Sequence, residues 1–393
     1  MIARLAVAIV VSLSLVGAGS ARRLRAQAAG SAELDRAVID GIRAGVYPGA
    51  VVVVGRHDTI LLARGYGHFT WSARSQVPDP DSSLFDLASL TKVVATTPAV
   101  MKLQEAGKLE LDRPVRDYLP DFAGTGKDAV TVRHLLSHTS GLRAWLDLSK
   151  ETGDAFAARR RVMEEPLLRA PGSRVEYSDF NAMLLGWIVE AVSGLPLDRF
   201  AEDSVFVPLG MRDSRFRPAR SLWRRTVPNG VWRGTPVAGS VHDQNAARLG
   251  GVAGHAGLFS TGMDLSRYAR VLLSGGRNAA CAQVFRPGTV ALFTRRAVEY
   301  RALGWELRDT VTAGSAGVRL SPSAFGHTGF TGTSMWIDPD QDLFVIILTN
   351  RVYAPRVGRS MTRIRDIRGQ VADAAVGLAD RVPARRGRAA TSC

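Results

Sequence analysis

The chain is poor in thiols and in lysine. Its 393 residues include two cysteines, Cys281 and Cys393, too few for a disulfide framework or a cysteine metal cluster. Lysine occurs only at 92, 102, 108, 127 and 150, so arginine carries most of the basic charge. No GxGxxG or GxxxxGK[ST] stands at a strand-to-helix junction, which removes the common dinucleotide and triphosphate fingerprints. No internal repeat is visible. With 46% hydrophobic and 22% charged residues, the chain is neither disordered, collagen-like nor a coiled coil, and its length allows a sizeable core.

The formal net charge is +15, which raises the question of nucleic acid. Its distribution argues against that partner. Residues 1–28 contribute +4 and residues 351–393, with ten arginines, contribute +7. The intervening body carries only +4 and has no evident phosphate-tracking stretch. Positive charge at the two ends is expected to favour peripheral contact with anionic envelope surfaces.

Arg4, the apolar run Leu5–Val16 and the small residues after it read as a secretory signal over residues 1–28, with cleavage after Ala26-Gln27-Ala28; an uncleaved anchor is the alternative. The protein is therefore expected outside the cytoplasm, periplasmic or extracellular. The domain reading is a catalytic body over 29–352, a C-terminal helix over 353–377 and a disordered tail over 378–393, rich in Ala, Arg, Gly and Pro.

Within the body, Leu34, Val38 and Ile42 lie at helical spacing and place a helix at 33–44. Ala50–Gly55 and Thr59–Gly65 predict a hairpin. Leu303–Arg308, Thr333–Asp338 and Leu343–Asn350 read as strands, the last two joined by a turn at Pro339-Asp340-Gln341-Asp342. The middle, about 88–275, is largely helical. Strands from both ends thus predict one sheet with a helical lobe inserted between its halves, an α+β class.

Three segments can carry chemistry. Ser89 and Lys92, in Phe85-Asp86-Leu87-Ala88-Ser89-Leu90-Thr91-Lys92, open a helix that stops at Gly107, and residues three apart share a helix face. A nearby base must take the serine proton, and a lysine amine can do so if burial or cationic neighbours lower its pKa. Backbone N–H groups at the helix start offer an oxyanion site. Alone, the pair also fits a serine cap followed by a surface lysine. Tyr177, in Glu176-Tyr177-Ser178-Asp179, lies just before an apolar helix and becomes a proton shuttle if cations lower its phenol. Gly326-His327-Thr328-Gly329-Phe330-Thr331-Gly332 precedes the terminal hairpin, where closely spaced glycines let backbone approach a ligand.

In order and spacing, Ser-Leu-Thr-Lys at 89–92, Tyr-Ser-Asp at 177–179 and His-Thr-Gly at 327–329 resemble the three active-site motifs of the serine β-lactamase and penicillin-binding-protein superfamily, in its class C-related branch. Two further segments, 132–142 and 254–261, are similar to that branch, and the match runs from about 33 to 352. The resemblance implies a β-lactamase/transpeptidase-like α/β sandwich with an antiparallel sheet of five or more strands. It implies Ser89 as the acylated nucleophile, Lys92 as its activator and Tyr177 as base and then acid. It also implies the N–H groups of Ser89 and Phe330 as oxyanion hole, and Asp179, His327, Thr328 and Gly329 as substrate-binding residues.

The chain departs from the family pattern twice. Asp179 stands where asparagine is usual and His327 where lysine is frequent, and both changes remove positive character from the side that would hold a substrate carboxylate. These departures argue against efficient β-lactam turnover, and the likeness of residues 251–261 to muramyl-peptide amidases of the same branch implies amide hydrolysis in peptidoglycan-type fragments or D-amino-acid peptides. A β-lactamase, a carboxylesterase and a non-catalytic cell-wall-binding protein are the alternatives. His242 and His255 flank a glycine-rich stretch expected to line the cleft. His134 and His138 sit four apart without a third ligand at a convincing spacing, so no metal and no cofactor are expected. The expected partner is a small-molecule or cell-wall peptide substrate, and the expected state is a monomer.

Overall fold

The computed structural model describes residues 31–353 and 360–382, so the signal or anchor at 1–28 and the tail beyond 382 lie outside the described residues. The first helix, α1, covers 31–43. Strands β1 (Gly49–Gly55) and β2 (Ile60–Gly67) form the first hairpin. Helices α2 (Thr97–Glu105), α3 (Asp179–Ser193) and α4 (Gly262–Leu273) belong to the inserted part. Strands β3 (Glu306–Leu307), β4 (Phe325–Thr328), β5 (Ser334–Asp338) and β6 (Leu343–Thr349) follow, and α5 (Met361–Arg381) ends the described chain.

These six strands make one antiparallel sheet in the order β2-β1-β6-β5-β4-β3. β1 and β6, far apart in sequence, lie side by side inside it, with Val52 opposite Ile347 and Val54 opposite Val345. Successive strand residues point to opposite faces. Ala50, Val52 and Val54 pack with Leu34, Val38, Val371 and Leu378 of α1 and α5, whereas Val51 and Val53 join Leu265, Tyr268 and the helical lobe. Burial on both faces explains why β1 and β6 read as unbroken apolar runs.

The expected strand Leu303–Arg308 shrinks to Glu306–Leu307. Gly304 has φ +87, and the N–H groups of Leu303 and Gly304 donate to Phe293 and Leu136 instead of to a strand. The C-terminal reading also needs correction. A 3-10 turn occupies Arg351–Tyr353, and the helix runs 361–381 rather than 353–377. Residues 378–381, expected in the tail, are helical because Leu378 and Ala379 extend the buried face of α5. This helix is a layer of the core, not an appendage, and it carries part of the arginine that composition had assigned to the chain end.

Candidate active site

A short antiparallel sheet brings the nucleophile segment Phe85–Asp86 against Leu258–Ser260, which in turn pairs with Arg215–Phe216. Ser89 lies in a 3-10 turn, Ala88–Leu90, followed by a π-helical turn, Lys92–Thr96, and then α2. Ser89 and Lys92 stand three residues apart along this helical stretch, a spacing that puts side chains on one side, which explains their close approach. Ala88 has φ +47, a left-handed conformation unusual for a residue with a Cβ. The buried Asp86 carboxylate holds it there by accepting the Ala88 N–H at 3.0 Å, and also accepts from the amide of His242 at 2.7 Å and the side chain of Asn229 at 2.8 Å. Burial raises the Asp86 carboxyl while these donors oppose the rise.

Lys92 Nζ and Tyr177 OH each donate to Ser89 Oγ at 2.9 Å. Lys92 also donates to the His255 carbonyl at 3.1 Å and lies 2.8 Å from Asp179 Oδ1. Burial works against the lysine charge, but the Asp179 carboxylate and the Tyr177 phenol outweigh it and raise Lys92 above its ordinary value. The condition under which the sequence allowed a lysine base, a lowered amine, is therefore not met: the carboxylate at 179 keeps Lys92 an ammonium. Tyr177 is raised too, chiefly by burial and further by Asp179, with Lys92 opposing. A second cation, the buried Arg301, stacks over the Tyr177 ring at 5.4 Å.

The 132–142 segment is the platform for Tyr177. His138 Nδ1 accepts from the Ser178 N–H and the Asn181 side chain, both at 3.1 Å, and its carbonyl accepts from Glu176 N–H at 2.8 Å. His134 has a separate use, its ring nitrogen accepting from the Thr131 amide at a helix cap. The 254–261 segment packs onto the nucleophile helix, with Thr96 Oγ1 donating to the Gly254 carbonyl at 2.6 Å. Only glycine fits at 254, because a Cβ there would stand 1.9 Å from the Ala182 carbonyl oxygen.

A cleft of about 400 Å³ opens at Ser89, with Trp145, Tyr177, Asp179, His242, Asp243 and Phe330 on its walls. Its lining contains no lysine or arginine among the described residues. A larger cavity of about 900 Å³, near Arg267, Arg270 and Arg277, contains none of the motif residues. His242 lines the cleft as expected and stacks on Phe330 at 5.7 Å. His255 does not line it: the residue is 0% exposed, and its Nε2 pairs with Asp243 Oδ1 at 2.9 Å. Burial disfavours the Asp243 charge, yet the His255 ring and the Ala246 amide hold the carboxyl below the usual range. Asp179, Asp243 and His255 bring ligand-type atoms within 4.8 Å of one another, and the Lys92 ammonium supplies positive charge at that cluster.

His327 is 3% exposed, lies behind Tyr177 with ring centroids 5.8 Å apart, and is absent from the cleft lining. Its Nδ1 donates to the Thr328 carbonyl at 2.8 Å, so Nε2 is the bare nitrogen. Burial, with Arg301 and Lys92 nearby, lowers it well below its ordinary value, so it stays neutral through the physiological range. The N–H groups of Ser89 and Phe330 make no hydrogen bond among the described residues and remain available to an oxyanion. Thr331 and Thr333 hydroxyls donate to the carbonyls of Asp86 at 2.7 Å and Leu87 at 2.9 Å, tying the two donor segments together.

Ordered in sequence and converging on one hydroxyl, these residues fit one known family. The Beta-lactamase family model matches residues 34–369. The chain belongs to that family. A protein of Salmonella agona named "Putative D-alanyl-D-alanine carboxypeptidase" is 33% identical over 359 residues, covering 82% of this chain and 83% of the relative. Among solved structures, a penicillin-binding protein homologue from Caulobacter crescentus has a TM-score of 0.68 at 21% identity, covering 88% of this chain and 97% of its own. A class C β-lactamase has a TM-score of 0.70 at 18% identity, covering 88% and 96%. The β-lactamase/penicillin-binding-protein fold and a serine hydrolase of the β-lactamase/DD-peptidase type follow.

Sequence reasoning found the three motifs but not Asp86, Asp243, Arg301, Arg351 or Arg368. Asp86 sits inside the first motif's own segment, yet only its burial marks it as the clamp on Ala88. Because the negative charge at 179 raises both Lys92 and Tyr177, we expect Asp179→Asn to lower both. A tyrosine base must be deprotonated and its ammonium partner protonated, so both limbs of the kcat/KM profile should move toward acid. Rate profiles of the two proteins, carried from neutral pH to beyond the ordinary tyrosine and lysine values, check this, and an unmoved profile would contradict the ion pair's role.

Proposed function

We propose that this chain is an exported serine hydrolase, periplasmic or extracellular, that forms an acyl-enzyme at Ser89 and hydrolyses amide bonds in peptidoglycan-type fragments or D-amino-acid peptides. The observation that carries the reading is the convergence of Lys92 Nζ and Tyr177 OH on Ser89 Oγ, both at 2.9 Å, beside two unused backbone N–H groups. Burial and Asp179 raise the Tyr177 phenol and the Lys92 ammonium, 5.0 Å from its ring, opposes that rise; in its deprotonated form Tyr177 accepts the Ser89 proton as Oγ attacks the carbonyl carbon. The carbonyl oxygen becomes an oxyanion between the N–H groups of Ser89 and Phe330. Tyr177 then passes its proton to the leaving amine nitrogen and is again a phenolate. Water repeats the sequence on the ester, releasing the acid and restoring Ser89.

The name of the Salmonella relative supports a D-amino-acid peptide substrate. A cleft wall without lysine or arginine offers no fixed cation to a substrate carboxylate, which favours neutral or amine-bearing acyl donors. The same observation favours carboxylester hydrolysis as a second reading. Envelope attraction through the C-terminal arginines loses part of its basis, because Arg351 and Arg368 are internal. One preparation incubated with a chromogenic cephalosporin, muramyl dipeptide and a nitrophenyl ester separates the readings. Amide cleavage is expected to exceed β-lactam turnover; dominant cephalosporin hydrolysis would reverse the ranking.

A further inference from the structure

The loop that carries the Phe330 N–H is held from behind by two buried guanidinium groups. Arg368 Nη2, on α5, donates to the Gly329 carbonyl at 2.6 Å and to the Thr333 carbonyl at 2.8 Å. Arg351 donates to the Phe330 carbonyl through Nε at 3.1 Å and Nη2 at 2.5 Å, and its guanidinium covers the Phe330 ring at 4.6 Å. Arg368 is 3% exposed and makes no ion pair among the described residues. Burial and the like charge of Arg351 push its guanidinium down to about 9, which leaves it a cation at neutral pH.

The Gly329 carbonyl and the Phe330 N–H belong to one peptide unit. In a planar trans peptide these two bonds point in opposite directions, and no cis bond occurs among the described residues. The Gly332 N–H donates to the same oxygen at 3.0 Å, and Arg368 adds the shorter, charged contact; pinned in this way, the oxygen aims the hydrogen away from the core and toward the cleft. A cation on the oxygen also polarises the amide, which strengthens its N–H as a donor in a buried setting. The loop cannot evade this geometry, because Gly329 lies so close to the nucleophile segment that a Cβ would stand 2.4 Å from the Leu87 carbonyl oxygen.

We infer that Arg368 is a positioning residue of the oxyanion hole, fixing and polarising the Gly329–Phe330 peptide from a helix that never reaches the cleft. The inference rests on the acyl-enzyme reading above. It separates from a merely structural role through the acyl carbonyl itself, whose stretching frequency falls as the oxyanion donors strengthen.

The test uses the full chain with Arg368→Met, Arg368→Gln and, as control, Arg363→Met on the exposed side of the same helix. p-Nitrophenyl acetate is the probe, followed by single-turnover acylation and by infrared difference spectra of the carbonyl-labelled acetyl-enzyme. Weakening one oxyanion donor in Arg368→Met should slow acylation about 10- to 100-fold with KM nearly unchanged, since full loss of a donor reaches about 10²–10³. The acetyl carbonyl should move to higher frequency, Arg368→Gln should fall between, and Arg363→Met should match the parent. If Arg368→Met does not fold, Arg368→Gln decides, because it keeps a donor and loses the charge. A folded variant with the parent's rate and carbonyl frequency overturns the inference alone. A parent that is never acylated overturns the hydrolase reading and this inference with it.

Discussion

Replacing Ser89 with alanine is expected to lower turnover of every substrate by about 10⁵-fold or more, the order found when a serine nucleophile is lost. At about 1.4 kcal/mol per decade this is roughly 7 kcal/mol of transition-state stabilisation. The change removes one oxygen to which Lys92 Nζ and Tyr177 OH both donate, so no other group can form the ester. The fold should be unaffected, because Ser89 is only partly buried and the Ala88 conformation depends on Asp86 rather than on Ser89. Intact-mass measurement after a penicillin or a fluorophosphonate should show one adduct on the parent and none on the variant. An adduct that persists in Ser89→Ala, or its absence from the parent across a panel of such probes, would remove Ser89 from the mechanism.

Tyr177→Phe should show the second largest loss, about 10²–10⁴-fold in kcat, the range for removing a positioned general base. The ring should stay in place, since it packs against His138 at 4.8 Å and His327 at 5.8 Å through contacts a phenyl group also makes. Only the hydroxyl that exchanges the Ser89 proton is lost. The parent's rate should rise with pH on the acidic limb, because burial and Asp179 raise the phenol and a base works only when deprotonated. The variant should lack that limb. Steady-state pH profiles of both proteins decide the point, and a variant that keeps the parent's slope would assign the base to another group.

The three motifs were legible because each is a short local pattern: a serine and lysine one turn apart, a tyrosine before an apolar helix, and glycines before a hairpin. The two hairpins were legible from composition and turn residues, and the central sheet from strands at both ends. What escaped was set by partners far along the chain. Lys92 alone reads as a candidate neutral amine, and only the Asp179 carboxylate 2.8 Å away keeps it charged. His327 reads as a polar group on a strand edge, but the sheet turns it behind Tyr177. The arginines after residue 350 read as an external basic region, whereas α5 buries Arg368 against the loop after β4. Periodicity records which face of a helix is apolar; it does not record a long polar side chain that passes through that face to a carbonyl.

Because β1 pairs with β6, this pairing cannot form until the chain has been made as far as Leu343–Thr349. Arg56 donates to the Ala379 carbonyl 323 residues further on, at 2.9 Å. The entropy of closing so long a loop grows only with the logarithm of its length, so equilibrium stability suffers little. The folding rate suffers more, since non-local pairings must form before they are rewarded. Until then β1 presents an unpaired edge along Val51–Val54, a state open to self-association. The helix that props the oxyanion loop follows β6 in the chain, so the loop gains its prop only after every strand of the sheet has been made.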